Sequence, residues 1–489
     1  MTMLSSDALQ HLAPHVLLPD YDRAAVKVGI VHIGVGAFHR SHEALYVDRL
    51  LGADPQWGIC GVGVRPADSV TRDALVPQDG LYTLTTVDPR AQREVRAVGS
   101  IVRYLHAPDD TEAVLEQMAD PAVRIVSLTI TEGGYGIDDA TGTFSPVDDA
   151  TRADMAGASV PTSAFGMITE ALRRRRAQSA APFTVLSCDN VQHNGSVARK
   201  ALLAVAEAID ADLAQWIAQN VAFPNSMVDR ITPGTTEDVR SSVARDIGVE
   251  DRWPVRAESF LQWVLEDNFP TGRPDWEAAG VQMVTDVEPY ELMKLRLLNA
   301  SHQVMSYPSL LLGFTWVDDA CHDPQIVALL AGWMREARVT LLPVPGVDLD
   351  QYCLTLIERF GSQAVRDTLA RQVVSSSDRL PKFLVPVIAD RQPGEPGPYG
   401  VFALAAWSVW LAEALANQGA DITDGRRDEL LAAAAREESG DAGALLDVGA
   451  VFGTVGQDAE LRAAYWRART DIREHGVRSA LASLLAAAR

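Results

Sequence analysis

Residues 27–42 read KVGIVHIGVGAFHRSH and decide the fold of the first part of the chain. A run of β-branched and apolar residues leads directly to Gly34 and Gly36, after which a helical pattern begins. The run predicts a buried strand, and glycines at a strand-to-helix turn let the backbone turn tightly and approach a pyrophosphate. The stretch therefore predicts the first strand–helix unit of an α/β domain, with a dinucleotide site at the turn.

The glycine motif is incomplete, because His39 stands where the pattern G-x-G-x-x-G has its third glycine. By itself the motif also fits a glycine-rich turn that binds no ligand. Its position at the first strand–helix junction favours the dinucleotide interpretation. We expect Gly34, Gly36, Phe38 and Arg40 to contact the cofactor, with a surface position as the alternative for Arg40.

An acidic and a basic residue follow the second predicted strand. In dinucleotide-binding folds an acidic side chain near this point accepts hydrogen bonds from the adenosine ribose and repels a 2′-phosphate. Asp68 is the candidate and predicts NAD over NADP; the alternative is that Asp68 only caps the next helix. Arg65 weakens the preference, because an arginine is suited to bind a 2′-phosphate.

The first part of the chain alternates strand-like runs with helical segments. The further strand-like runs are residues 57–64, 81–87, 124–131 and 183–190. Continuous apolar runs separated by helices predict a parallel sheet covered on both faces, the doubly wound Rossmann-type arrangement. From about residue 287, Leu- and Ala-rich helical periodicity replaces the strands. We therefore expect a doubly wound α/β domain over residues 1–285 and a mainly α-helical domain over residues 286–489.

The composition limits the partners and the location. Lys and Arg number 43, Asp and Glu 65, and the net charge of −22 argues against nucleic acid or an anionic membrane surface as the main partner. The four cysteines form no CxxC pair, and the first residues lack a basic region followed by an apolar run, so we expect a reduced, cytoplasmic protein. The longest apolar stretch, residues 399–412, is shorter than the roughly 20 residues of a membrane span.

Residues 289–302, PYELMKLRLLNASH, carry the strongest candidate for catalysis. Read as an α-helix, they place Lys294, Leu298 and His302 in one stripe, with Asn299 on the neighbouring row. Lysine is almost never buried unpaired, so these side chains on an apolar helix need a reason. A desolvated lysine has a lowered pKa and can act as a general base, but a satisfied polar cluster at a domain interface fits the spacing equally well.

Two other enzyme classes fit the sequence less well. Tyr290 and Lys294 have the spacing of the Tyr/Lys pair of short-chain dehydrogenases, but no serine lies between residues 271 and 289, and the pair falls outside the first domain. The chain has no HExxH motif, and its histidines and cysteines make no convincing zinc ligand set. We therefore expect no metal site.

Polar side chains follow three strand-like runs, at the end of the strand where open α/β sheets bind ligands. The segments are residues 129–135, 187–190 and 223–233. Asn190 offers an amide donor and Asp229 a carboxylate. Each segment by itself is also ordinary turn chemistry.

Several long motifs occur together and in order along the chain. They are HIGVGAFHRSH (32–42), SLTITEGGY (127–135), SCDNVQHNG (187–195), FPNSMVDRITP (223–233), QWVLEDNFPTGRPDWE (262–277), PYELMKLRLLNASH (289–302) and LPKFLVP (380–386). With these motifs the chain resembles the polyol-specific long-chain dehydrogenases nearly from end to end. The resemblance implies NAD(P) as the cofactor, no metal, and catalysis by a lysine.

The lysine pattern of that family, K-x4-N-x2-H, matches Lys294, Asn299 and His302. The resemblance implies that Lys294 takes the proton from the substrate hydroxyl while hydride leaves the same carbon for the nicotinamide. Asn190 and Asn299 would donate hydrogen bonds to the developing alkoxide. His302 would orient the substrate oxygen and the lysine.

The resemblance also implies groups around the reacting carbon. Asp229 would bind a neighbouring hydroxyl, and Glu291 would lie on the proton route from the lysine to water. The family anchors the polyol with an arginine and, eight residues later, a lysine; here the two positions are Arg371 and Arg379. The second is a departure, because arginine is a planar, bidentate donor where lysine is a point charge. We expect it to affect the choice of polyol more than the reaction type.

The implied activity is the reversible, NAD-dependent oxidation of D-mannitol to D-fructose by a monomer. Alternatives within the class are another polyol, such as D-arabinitol or D-sorbitol, or the sugar acid mannonate, whose carboxylate would suit Arg379. A nucleotide-binding protein without catalysis is a further alternative, against which the intact lysine pattern argues.

Overall fold

The computed structural model describes residues 2–138, 142–363, 367–391 and 397–487. The chain divides into two compact units, Met1–Glu288 and Pro289–Arg489. The boundary expected from the sequence, between residues 285 and 286, lies close to this division.

The strands of unit 1 are β1 Val28–Ile33, β2 Gly58–Gly63, β3 Tyr82–Val87, β4 Arg93–Val98, β5 Ile101–His106, β6 Ile125–Leu128, β7 Thr184–Ser187, β8 Ser226–Asp229, β9 Val255–Glu258, β10 Gln262–Glu266 and β11 Gln282–Val284. The first sheet has the order β5-β2-β1-β6-β7, and its neighbouring strands are all parallel. After β1 the sheet grows through β2 and β5 on one side and through β6 and β7 on the other. This is the predicted doubly wound arrangement, and its switch point lies between β1 and β6.

One predicted strand lies in a different sheet. Residues 81–87 form β3, but β3 pairs antiparallel with β4 and parallel with β9 in a second sheet, so its expected place in the doubly wound sheet is wrong. The edge of the parallel sheet is formed instead by β5, which the sequence analysis missed. Because β5 is an edge strand, it is only partly buried, and the exposed Arg103 interrupts its apolar run.

Helices cover both faces of the parallel sheet. The helices of unit 1 are α1 Ala37–Ser41, α2 Glu43–Asp48, α3 Ser69–Leu75, α4 Thr111–Ala119, α5 Asp149–Met155, α6 Ala164–Ala177, α7 Asn194–Ile209, α8 Ala211–Asn220 and α9 Glu237–Ile247, with short 3₁₀ helices such as Pro66–Asp68 and Glu132–Tyr135. Along β1, Val31 and Ile33 join one apolar cluster and Ile30 joins the other. Burial of both faces explains why β1 is a continuous apolar run in the sequence.

Unit 2 is helical, and its described residues include no strand. Its helices are α10 Glu288–Met293, the π-helical turn Lys294–Asn299, α11 Ala300–Leu311, α12 Val317–Ala320, α13 Pro324–Arg338, α14 Leu349–Phe360, α15 Leu369–Gln372, α16 Ser376–Phe383, α17 Val385–Ala389, α18 Pro398–Ala414, α19 Arg427–Glu438, α20 Gly449–Phe452 and α21 Ala459–Ala487. The predicted change from mixed α/β to helical structure is confirmed.

The helical stretch Pro398–Asn417, which contains α18, is longer than the sequence analysis expected. It has 20 residues, and a mean hydropathy of 1.4 makes it long and apolar enough, by these measures, to cross a membrane. Its most apolar window is 78% buried inside the protein, where α18 packs against α11 and α21. This packing on all sides accounts for a helix that is apolar all round.

The two glycines of the turn after β1 provide a matched pair of substitutions. Gly34 has a φ of +95°, and a Cβ there would stand 2.1 Å from the carbonyl oxygen of Thr129. Gly36 has a φ of −89°, and the nearest atom to its Cβ would be 3.8 Å away. Backbone strain and overpacking together predict that Gly34→Ala lowers the free energy of unfolding by about 2–4 kcal/mol. Gly36→Ala is expected to change it by less than about 1 kcal/mol.

Denaturant unfolding of the two variants, followed by circular dichroism, measures this difference. Equal losses in both variants would contradict the assignment of the close contact to Gly34.

Candidate active site

The turn after β1 is held against the end of β6. The positive φ of Gly34 and its contact with Thr129 leave no room for a side chain. The hydroxyl of Thr129 donates a hydrogen bond to the Gly34 carbonyl at 2.6 Å. Gly36, at the start of α1, is exposed and has open space around its Cα. Gly34 thus brings β1 and β6 close together, and Gly36 leaves accessible backbone at the switch point where doubly wound sheets bind ligands.

His39 takes the place of the third glycine and lies inside the unit. It is 1% exposed, and its ring stacks on the ring of His32 with centroids 3.5 Å apart. Burial, followed by the charges of His32 and Arg40, lowers the pKa of His39 well below its usual value, so the ring is neutral near pH 7. Phe38 is partly buried and stacks on His42. His32 was missed, although a histidine within an apolar strand is itself unusual.

Arg40 is not at the surface, so that alternative is wrong. It is 2% exposed, and its guanidinium donates to the carbonyls of Gly36 and Trp253 and lies over the rings of Tyr82 and Trp253. Burial lowers the pKa of Arg40 to about 10, which leaves it charged at pH 7. These contacts favour a role in holding the glycine turn from inside over the expected contact with a cofactor phosphate.

Asp68 closes the turn after β2. Its Oδ2 accepts from the backbone N–H of Val64 at 3.0 Å and of Arg65 at 2.9 Å, and its Oδ1 accepts from the Arg65 guanidinium at 3.2 Å. Its side chain makes no capping bond to α3, but it forms a capping box with Arg65 at the 3₁₀ helix Pro66–Asp68, so the helix-cap alternative for Asp68 stays open beside the ribose interpretation. The Arg65 side chain beside it is 78% exposed. A carboxylate at the end of β2 fits an adenosine ribose, and the exposed Arg65 lies next to it.

The predicted residues at the ends of β7 and β8 lie in different sheets. Asn190 follows β7 of the parallel sheet and is exposed. Asp229 is the last residue of β8, is 4% exposed, and pairs with Gln262 of β10 in a third sheet of order β11-β10-β8. Asn190 and Asp229 thus both lie at strand ends, as expected, but at the ends of strands in different sheets.

The helix that carries Lys294 is interrupted by a π-helical turn. The N–H of Ala300 donates to the carbonyl of Leu295, five residues earlier, and the turn spans Lys294–Asn299. The regular α-helical stripe of Lys294, Leu298 and His302 is therefore wrong. A π-helical turn inserts one residue, so side chains five apart approach the same face, and Asn299 shares the face of Lys294. Single π-helical turns are rare and are frequently found at functional sites.

Two side chains support the carbonyls of this turn. The buried indole of Trp333 on α13 donates to the Arg296 carbonyl at 3.1 Å, and the Ser301 hydroxyl donates to the Leu297 carbonyl at 2.5 Å. Backbone groups displaced from the regular ladder must find other partners when buried. No local pattern in residues 294–299 identifies the turn, because Trp333 comes from another helix.

The charged residues of the turn are buried. Lys294 is 8% exposed and Glu291, on α10, is 5% exposed. The Tyr290 hydroxyl donates to the Pro345 carbonyl at 2.8 Å, which gives that tyrosine a structural contact. Asn299 and His302 are partly exposed, yet Asn299 Oδ1 and His302 Nδ1 are buried and accept or donate no hydrogen bond within the described residues. Other buried polar atoms of the described residues also lack a partner, but these two lie on partly exposed side chains, as groups that await a ligand would.

His302 is surrounded by the predicted substrate anchors. Burial lowers the pKa of His302 to about 4, and the charges of Asp367, Arg371 and Arg379 act on the ring in opposite directions. The ring contacts Phe360 with centroids 4.7 Å apart. Both predicted arginines are therefore close enough to His302 for their charges to act on its ring, and the imidazole is neutral at pH 7.

The two arginines differ in their contacts. Arg371 is exposed and forms an ion pair with Asp367, its Nε donating to Oδ1 at 2.7 Å. Arg379 donates to the backbone carbonyl of Gln372 at 2.8 Å. Gln372 also donates to Asp367 at 2.6 Å, so a polar network joins both positions. Asp367 and Gln372 were missed by the sequence analysis.

Three buried side chains in unit 1 have ligand atoms close enough to suggest a metal. Atoms of His32, His39 and Glu43 lie within 4.8 Å of one another. A metal must lie near the plane of each imidazole that binds it, but the two rings are stacked 3.5 Å apart at an interplanar angle of 13°. The stacking therefore argues against one ion bound by both rings; Glu43 Oε2 accepts from Ser127 at 2.9 Å, and the ring nitrogens of His39 have no hydrogen-bond partner among the described residues.

Comparisons with known proteins give the family. The model for the mannitol dehydrogenase Rossmann domain matches residues 28–278, and the model for the mannitol dehydrogenase C-terminal domain matches residues 286–471. The chain therefore belongs to the mannitol dehydrogenase family, as the polyol dehydrogenase motifs predict.

The relatives include proteins named for related activities. A mannitol 2-dehydrogenase of Phaeosphaeria nodorum is 46% identical over 83% of this chain and 73% of its own length. A polyol:NADP oxidoreductase of Gluconobacter oxydans is 44% identical over 78% of this chain and 79% of its own length. Among solved structures, the Pseudomonas fluorescens mannitol 2-dehydrogenase in a ternary complex with NAD and D-mannitol is 42% identical, with a TM-score of 0.87 over 99% of this chain and 100% of that one.

The lowered pKa of His302 predicts a pH-dependent loss of stability. The imidazole titrates near 6.5 when unfolded and near 4 when folded, so its contribution is fully present above pH 6.5 and is lost as the pH falls toward 4. Between pH 7.5 and 4.5 we expect the wild type to lose about 2 kcal/mol more than His302→Asn. Denaturant unfolding across this range measures the difference. If the free energy of unfolding changed with pH equally in the two proteins, the pKa of His302 would be the same in the folded and unfolded states, which would contradict the prediction.

Proposed function

We propose that this chain catalyses the reversible, NAD-dependent oxidation of D-mannitol to D-fructose. The observation that carries the proposal is the π-helical turn Lys294–Asn299, which places Lys294 and Asn299 on the same face of the helix. Asn299 and His302 also have buried polar atoms that form no hydrogen bond with any described residue. Support for the substrate comes from the similarity over 99% of the chain to a structure that contains NAD and D-mannitol. The two together favour an active dehydrogenase over a nucleotide-binding protein without catalysis.

The residues of unit 1 fit a dinucleotide. Gly36 presents backbone with open space at the switch point, and Asp68 presents a carboxylate at the end of β2. We propose that both contact the cofactor and that Asp68 favours NAD over NADP by repelling a 2′-phosphate. When bound, NAD accepts a hydride from the substrate carbon. The exposed Arg65 leaves NADP as a slower alternative.

The proposed proton transfers belong to the helix of unit 2. Lys294 accepts the proton of the substrate hydroxyl as its carbon loses a hydride and becomes a carbonyl, and Glu291, one turn earlier, passes the proton to water. Asn190 and Asn299 donate hydrogen bonds to the alkoxide that develops on the oxygen. His302, neutral at pH 7, orients that oxygen without adding a charge.

The remaining polyol hydroxyls need their own partners. We propose Asp229 for a hydroxyl beside the reacting carbon and Arg371 and Arg379 for the distal hydroxyls. Arg379 stands where relatives in this family have a lysine, and a guanidinium also suits a carboxylate, so a sugar acid such as mannonate is the second candidate. The resemblance further supports a monomeric enzyme that needs no metal, and the four cysteines without a CxxC pair support a cytoplasmic location.

Substitution of the lysine tests the proposed mechanism. Lys294→Ala is expected to lower kcat for mannitol by at least about a hundredfold, because it removes the general base, while NAD binding stays unchanged. Lys200→Ala, at an exposed position on α7, is the matched control and should retain full activity. Reduced nicotinamide absorbance gives kcat, and quenching of protein fluorescence gives the affinity for NAD. Wild-type turnover by Lys294→Ala would show that another group is the base.

A substrate panel tests the proposed reaction itself. The value of kcat/KM is expected to be highest for D-mannitol, lower for D-arabinitol and D-sorbitol, and lowest for mannonate, and EDTA should leave the rates unchanged. The assay uses the same absorbance with NAD and, separately, with NADP. No turnover of mannitol, with turnover of another member of the panel, would reassign the substrate; strong inhibition by EDTA would require a metal.

A further inference from the structure

The segment that follows β6 contains a strained backbone conformation. Thr131 has φ +66° and ψ 160°, a region that only glycine adopts without strain, and threonine is β-branched. The segment then continues into the 3₁₀ helix Glu132–Tyr135. Such strain persists only where the surroundings hold it, and it is concentrated at active sites and ligand contacts.

The carboxylate of Asp189 holds this segment from the neighbouring strand. Its Oδ2 accepts from the N–H of Ile130 at 2.9 Å and from the Tyr135 hydroxyl at 2.6 Å, and its Oδ1 accepts from the N–H of Thr131 at 2.9 Å. Asp189 is 8% exposed, and Tyr135 is 1% exposed. Burial raises the pKa of Asp189, and the three donors offset part of the cost of burying its charge while they fix the turn on both sides of the strained residue.

The same residue lies beside two parts of the proposed site. Asp189 directly precedes Asn190, and its own carbonyl accepts from the side chain of Asn194 at 3.0 Å. On the other side, Thr129 joins the strained segment to the Gly34 carbonyl at the switch point. Asp189 therefore connects the glycine turn, the end of β6 and the end of β7 through hydrogen bonds and covalent neighbours.

We propose that Asp189 is a positioning residue for the dehydrogenase reaction, which holds Thr131 in its strained conformation and thereby fixes Asn190 for its hydrogen bond to the alkoxide. This inference rests on the proposed function. Asp189 contacts neither the substrate nor the reacting atoms in this scheme; it acts through the backbone of residues 130–131 and through its own peptide bond to Asn190.

The test compares Asp189→Asn with a matched buried carboxylate. Asp154 also accepts from two backbone N–H groups and a hydroxyl, those of Thr162 and Ser163, and is 2% exposed. Both Asn variants should unfold at lower denaturant concentration. Only Asp189→Asn should lower kcat for mannitol, by about ten- to a hundredfold, with less than a threefold change in the affinity for NAD, because the defect lies at the alkoxide and not at the cofactor.

Two further variants separate positioning from stability. Tyr135→Phe removes one of the three donors and should lower kcat two- to fivefold in a protein that folds normally. Thr131→Gly, placed in the Asp189→Asn background, removes the steric cost of the strained conformation and should recover at least threefold in kcat. A purely structural role predicts no recovery of kcat by a substitution to glycine.

The outcomes are distinct. Wild-type kcat in Asp189→Asn and in Tyr135→Phe overturns the inference, and so does an equal loss of kcat in Asp154→Asn. If the wild type itself oxidises no polyol, the proposed function has failed instead, and that result appears before any variant is measured. Loss of kcat in both variants with partial recovery by Thr131→Gly establishes the positioning role.

Discussion

The proposed active site depends on one local departure from regular helix, the π-helical turn Lys294–Asn299. In a regular α-helix Asn299 would be rotated away from Lys294, and an apolar leucine would share the face of the lysine. The turn is maintained by partners outside it, above all the Trp333 indole on the Arg296 carbonyl. Tertiary contacts thus turn Asn299 toward the face of Lys294 and create a polar site in an otherwise apolar helix. The main-chain hydrogen bonds of the helix are weaker there as a result.

In unit 1 as well, contacts between segments distant in sequence fix the local geometry at the switch point of the sheet. Gly34 lets the ends of β1 and β6 approach to within contact distance, and the hydroxyl of Thr129 joins the two. Beneath the turn, His32 and His39 stack in a fully buried cluster that ends at Glu43. His32 is hydrogen-bonded to Ser127 and Thr129, and Arg40 holds the turn through the Gly36 carbonyl, whereas both ring nitrogens of His39 are buried without a hydrogen-bond partner among the described residues.

The sequence predicts the parts of the structure that depend on local pattern. The apolar run of β1, its glycine turn and the change to helical periodicity near residue 287 identify the doubly wound sheet and the helical unit, because burial on both faces leaves continuous apolar runs. The edge strand β5 escapes notice since Arg103 interrupts its run, and β3 is placed in the wrong sheet because strand pairing is not a local property. The family motifs identify Lys294, Asn299 and His302 as candidate catalytic residues, but they do not predict the π-helical turn on which these residues lie or which they flank.

The features that escape prediction share a physical cause. The π-helical turn and the inward position of Arg40 both depend on groups distant in sequence, Trp333 and Trp253. The strained Thr131 is likewise held by Asp189, 58 residues later. A single sequence shows which chemical groups are present, but not which distant carbonyl or carboxylate will hold each of them.

The most direct measurement is a crystal structure of this chain with NAD and D-mannitol bound. We predict that Nζ of Lys294 lies within about 2.6–3.2 Å of one mannitol hydroxyl oxygen, on the carbon that faces the nicotinamide ring. We also predict that Asn299 reaches the same oxygen. A mannitol whose reacting hydroxyl contacts a different basic group, with Lys294 out of reach, would contradict the account.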